Sequence, residues 1–135
     1  MVKAVYLGKE VVVNITNRIG ILADISKILA DHGINIEAIS GYATTNEAKL
    51  MFVTEDNQRA SDALIKAGYK GARENPVVIV ELEDKPGALR HITTKLAAEN
   101  IDIRYIYGTA CSEKLPAKLV LSTSNDEKAL LIFKK

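Results

Sequence analysis

With 135 residues, the chain holds one ordinary domain or two very small ones. Its apolar fraction of 47%, charged fraction of 26% and net charge of +1 describe a globular chain with scattered charges, which excludes a basic nucleic-acid face and an acidic tail. Aromatic residues at 5% exclude a base-stacking platform, no run approaches the roughly 20 apolar residues of a membrane-spanning helix, and a single cysteine, Cys111, excludes an internal disulfide. A reducing cytoplasm suits that cysteine usage.

KAVYL (3–7) reads as a short strand, and the Gly8-Lys9-Glu10 break comes too early for a signal peptide. VVVNI (11–15) is β-branched and reads as the next strand. The loop TNRIG (16–20) opens a helix in which Leu22, Ile25, Ile28 and Leu29 recur at three- and four-residue steps. Gly33 is placed to stop it. INIEAIS (34–40) and AKLMFVT (48–54) read as strands, and after Asp56 the face Ala60, Ala63, Leu64 and Ala67 marks a second helix ending at Gly68. Residues 70–74 are a candidate strand, and VVIVEL (77–82) is another. EDKPG (83–87) then opens a helix whose face is Leu89, Ile92, Leu96 and Ala97, with Asn100 at the stopping position. IDIRYIY (101–107) and AKLVLST (117–123) are strands, and a last helix begins at Asp126.

This succession is a repeat. A constant offset that pairs Gly20 with Gly87 aligns 17–42 with 84–109 without gaps. Gly20/Gly87, Leu22/Leu89, Ile25/Ile92, Leu29/Leu96, Ala30/Ala97, Ile34/Ile101, Ile36/Ile103, Ile39/Ile106 and Gly41/Gly108 are identical. All are apolar or glycine, the positions that packing and backbone geometry constrain. The order β-α-β-β-α in each unit is one strand short of the split βαβ plan. Residues 70–74 supply that strand to the first unit, and residues 1–7 to the second. The alternative is that residues 2–7 merely extend the first strand.

The chain resembles the ACT domain on DKPGAL (84–89) with LAAENIDI (96–103), and in a weaker copy on NRIGIL (17–22) with LADHGINI (29–36). The resemblance implies an α+β fold of two ferredoxin-like βαββαβ units in tandem, with antiparallel sheets and helices on one face. The first unit is expected over 8–74 and the second over 75–135, with 1–7 donated to the second. It further implies a regulatory module that binds an amino acid effector, without catalytic residues, cofactor or metal. In such proteins ligands commonly lie at an interface between two domains. A homodimer and a metabolic enzyme are the partners expected, with no nucleic acid and no membrane. The first copy departs from the pattern at Asn17 and Ile19, which sets its loop apart from the second.

The loop residues carry the same reading without the family. A glycine at a helix mouth permits a tight turn and close approach of a ligand. A helix N-terminus offers unsatisfied N–H groups to a carboxylate. Pro86 presets the backbone of the first turn. Asp84 accepts from an ammonium group, and Asn17 both donates and accepts. The ligand-binding set is therefore Asn17, Ile19, Gly20, Ile21 and Leu22 in the first loop, and Asp84, Pro86, Gly87, Ala88 and Leu89 in the second. Against this stands a ligand-free association module, in which the glycines serve only the turn and Asn17 and Asp84 cap the helices. His32 and His91 lack partners at metal-ligand spacing, and nothing near Cys111 marks an activating base. Ile39 and Ile106 fall out of phase with Ile36 and Ile103, so either the helix-free face of the sheet is covered, as in a homodimer, or a bulge re-aims one side chain.

Overall fold

The computed structural model describes residues 2–109 and 116–134. The elements are β1 (Val2–Thr16), α1 (Ile21–Asp31), β2 (Ile36–Ala43), β3 (Glu47–Thr54), α2 (Asn57–Lys66), β4 (Arg73–Leu82), α3 (Ala88–Ala98), β5 (Ile103–Thr109), β6 (Ala117–Thr123) and α4 (Asp126–Phe133). Contacts divide the chain into two compact units, Lys9–Asn75 and Met1–Gly8 with Pro76–Lys135. Cys111 lies outside the described residues.

Two expected breaks are not breaks. Residues 3–7 and 11–15 belong to one strand, β1, and 70–74 does not form a strand apart from 77–82, because β4 starts at Arg73 and continues through Pro76. Gly8 packs closely in mid-strand: a Cβ there would lie 2.8 Å from Cδ1 of Ile79, whose side chain would have to shift. Glu10 is fully buried, and its carboxylate accepts a 2.8 Å hydrogen bond from the Asn75 side-chain amide. A buried acid so bonded does not interrupt a strand.

In the Lys9–Asn75 unit, β3 pairs antiparallel with both β1 and β2, with Val11 opposite Phe52 and Val13 opposite Leu50. Val11, Val13, Leu50 and Phe52 alternate toward one face, where Ile25 and Leu29 of α1 and Leu64 of α2 complete a buried core. In the other unit β6 pairs antiparallel with β4 and β5, and Val78, Val80 and Leu121 pack with Ile92 and Leu96 of α3 and Phe133 of α4. Helices cover one face of an antiparallel sheet in an α+β arrangement.

The phase of the isoleucines is explained within the strands. Register shifts interrupt β2 between Ile36 and Ala38, and β5 between Ile103 and Tyr105. Ile39 therefore stands opposite Phe52 on the same face as Ile36, and Ile106 stands opposite Leu121 on the face of Ile103. A bulge re-aims the side chain, so this pattern carries no argument for a homodimer.

Helix ends follow local chemistry. Beyond α1 the Gly33 and Ile34 amides bond to Ala30 and Leu29, and beyond α3 Asn100 and Ile101 bond to Ala97 and Leu96, two equivalent left-handed stops. Asp56 caps α2 by accepting from the Arg59 amide at 3.1 Å. Asp56→Ala is expected to cost about 1 kcal/mol, read as a shift in denaturant midpoint at unchanged slope. A loss below about 0.3 kcal/mol would deny the cap its role.

Candidate functional site: the two glycine loops

Each loop leaves a strand and enters a helix through a glycine. Gly20 has φ 90° and Gly87 has φ 88°, a left-handed backbone that an L side chain adopts only under strain. Each glycine is the N-cap itself, and neither helix receives a side-chain cap. Capping by Asn17 or Asp84 is thus corrected. So is the place of Pro86: α3 begins at Ala88, so the proline lies one residue before the cap and outside the helix. Its fixed φ pre-orders the approach to the turn.

The turn satisfies only part of each helix start. Ile21 donates to the Arg18 carbonyl at 3.2 Å, and Asp24 donates to that of Gly20 at 3.0 Å. In the second loop Ala88 donates to Lys85 at 3.2 Å and His91 to Gly87 at 3.0 Å. The amides between them, Leu22 and Ala23 in α1 and Leu89 and Arg90 in α3, find no acceptor among the described residues. Two adjacent free amides at a helix N-terminus suit a carboxylate.

The polar residues of the two loops differ in employment. The Asn17 amide donates to the Asn46 carbonyl at 2.8 Å, and its Nδ2 donates to the Thr44 carbonyl at 3.0 Å. Asn17 is therefore a strut to the β2–β3 turn. Arg18 pairs with Asp24 in the first turn of α1 and reaches the Tyr69 hydroxyl at 3.3 Å. In the second loop Lys85 pairs with Glu83 at 3.1 Å, and Asp84 makes no hydrogen bond among the described residues. Ile19 is fully exposed, Ile21 and Ala88 are buried, and Leu22 and Leu89 are half exposed.

Lys85 holds the Glu83 carboxyl below the usual carboxylate range, by its hydrogen bond first and its charge second. A carboxyl depressed in the folded state stabilises fully above its unfolded value, about 4.3, and that contribution fades as pH falls through the folded value. The gap in melting temperature between the wild type and Lys85→Ala is expected to be small, since both side chains are partly exposed to solvent, and to close as acid is added below about pH 4. A gap that widens in acid would contradict the assignment.

An open cleft of about 340 Å³ in the Lys9–Asn75 unit is lined by Asn14, Ile15, Thr16, Tyr42, Thr44, Glu47, Ala48 and Lys49, so none of the first loop's expected residues lines it. In the other unit a cleft of about 290 Å³ is lined by Leu82, Glu83, Asp84, Lys85, Ala88, Leu89, Gly108, Thr109, Ala117 and Leu119. It gathers Asp84, Ala88 and Leu89 but not Pro86 or Gly87. Gly108 has a steric reason: a Cβ would lie 2.6 Å from Cδ2 of Leu119, which crosses over it. Sequence reasoning missed the wall from β5 and β6, although Gly41/Gly108 signalled a close approach. Among the described residues no cluster of three His, Cys, Asp or Glu forms a metal site, and His32 Nδ1 lies 2.8 Å from the Ile28 carbonyl at the end of α1. No helix among them is long and apolar enough to cross a membrane.

Residues 9–67 match the ACT domain. Among solved structures, BT0572 from Bacteroides thetaiotaomicron superposes with a TM-score of 0.80 at 25% identity, over 96% of this chain and 88% of that one. The ligand-free regulatory subunit of aspartate kinase from Thermus thermophilus gives 0.64 at 20% identity, over 97% and 95%. The Thermus flavus subunit gives 0.59 at 21%, over 97% and 95%. Likeness at the level of these two subunits is likeness of fold. No curated protein matches the chain.

Proposed function

We propose that this chain, with its ACT match at 9–67, is a tandem ACT module over 8–74 and 75–135, with 1–7 serving the second unit, and that it binds an amino acid effector at its glycine loops. It regulates a metabolic partner and catalyses nothing itself. The observation that carries this reading is the pair of left-handed glycine caps, Gly20 and Gly87, each followed by two amides with no acceptor among the described residues. The effector's carboxylate meets those amides, and a loop carboxylate or amide side chain meets its ammonium group. Regulation then follows from the difference in the effector's affinity for two states of the protein, and from nothing else.

Melting the protein against each of the twenty amino acids tests this. A ligand at a hundred times its Kd stabilises by about 2.7 kcal/mol, a rise of several degrees. If none raises the melting temperature at millimolar concentration, the effector reading fails. The rival, a ligand-free association module, rests on the partly exposed apolar side chains of Leu22, Ile39, Leu89 and Ile106. It predicts a melting temperature that depends on protein concentration and on no amino acid.

A further inference from the structure

We infer that effector binding belongs to the second loop alone, one molecule per chain, and that the effector carries a short aliphatic side chain. This rests on the effector reading above and narrows it.

The first loop has committed the side-chain donors of Asn17 and Arg18. Asn17 spends its backbone and side-chain amides on the Asn46 and Thr44 carbonyls, and Arg18 is held by Asp24 and Tyr69. Arg18 and the Asn17 amides can donate to a ligand only by giving up bonds already made, which is subtracted from the affinity, and the neutral Asn17 amide oxygen is a weaker acceptor for an ammonium group than a carboxylate. Of this loop only Thr16 lines the cleft of about 340 Å³ in that unit, and residues 17–20 do not.

The second loop is uncommitted at one residue, and that residue borders a cleft. Lys85 is engaged by Glu83 at 3.1 Å, and Asp84 on the rim makes no hydrogen bond or ion pair among the described residues. A lone carboxylate beside an open cleft attracts an ammonium group. Behind the rim the walls are Leu82, Ala88, Leu89, Ala117 and Leu119, with Leu82 and Ala88 buried. Among the described residues behind the rim, Thr109 alone has a side chain able to hydrogen-bond, so a polar ligand side chain meeting these walls loses water without full replacement. A volume of about 290 Å³ suits one small molecule. An ammonium at Asp84 with a branched aliphatic group against the leucines satisfies both features.

The test titrates the full chain with valine, leucine and isoleucine, and with aspartate and lysine for comparison, while hydrogen exchange follows both loops. One site per chain is expected, with the aliphatic ligands at least about tenfold tighter and protection appearing in 83–90 but not in 17–23. Asp84→Asn and Asp84→Ala are expected to weaken binding by about tenfold or more with the melting temperature unchanged, since Asp84 is exposed and makes no described bond. Two sites per chain, protection at 17–23, a preference for polar side chains, or undiminished binding by both variants overturns this inference and leaves the effector reading standing. Absence of saturable binding by any amino acid overturns both.

Discussion

Phe52→Ala is expected to remove about 3–5 kcal/mol of folding stability, the largest loss of any single truncation in the Lys9–Asn75 unit. Phe52 is fully buried at the middle of β3, faces Val11 on one side and Ile39 on the other, and packs within the cluster of Ile25, Leu29 and Leu64. Alanine leaves a cavity that two sheet neighbours and two helices cannot close, so the cost exceeds simple transfer of the lost carbons. A domain of this size holds about 5–15 kcal/mol in all, so the variant stands near unfolding. Equilibrium denaturation measures it. Phe52→Leu, which keeps most of the volume, is expected to cost about 1.5 kcal/mol or less. Equal losses for the two variants would deny Phe52 its central place.

Gly20→Val is the second large effect, and its cause is different. A Cβ at Gly20 meets no atom within 4 Å, so no clash contributes and the whole cost is that of a β-branched residue at φ 90°. The expected loss is about 2 kcal/mol, with Gly20→Ala nearer 1. Gly87, at φ 88°, is expected to behave alike in stability. Under the proposed assignment the two are expected to diverge in binding: Gly87→Val, beside the second cleft, lowers effector affinity, whereas Gly20→Val leaves it unchanged. Chemical denaturation and titration of both variants separate these roles. If Gly20→Val proves neutral, the left-handed cap is not what the turn requires.

Much of the local structure was legible in the residues. The stops at Gly33 and Asn100 could be read because a left-handed residue is a local demand that few side chains meet. The helical faces of α1 and α3 could be read because apolar spacing records which side of a helix is buried. The strand breaks at Gly8-Lys9-Glu10 and ahead of Val77 were misread. Remote groups decide these positions, Asn75 by its hydrogen bond to Glu10 and the side chain of Ile79 by its close packing against Gly8, which no local pattern reveals. The phase of Ile39 was ambiguous for the same kind of reason, since only the pairing with β3 exposes the bulge.

The sequence by itself determined the repeat, the periods of its helices and the glycine at each helix mouth, because periodicity and backbone freedom are properties of neighbouring residues. Tertiary structure alone decided which loop is occupied with its own bonds. The backbone and side-chain amides of Asn17 donate to the Asn46 and Thr44 carbonyls, which lie in the β2–β3 turn far along the chain. Asp84 has no such partner among the described residues, and the wall beside it comes from β5 and β6. A side chain's availability depends on what folding brings against it, and that is set by contacts distant along the chain.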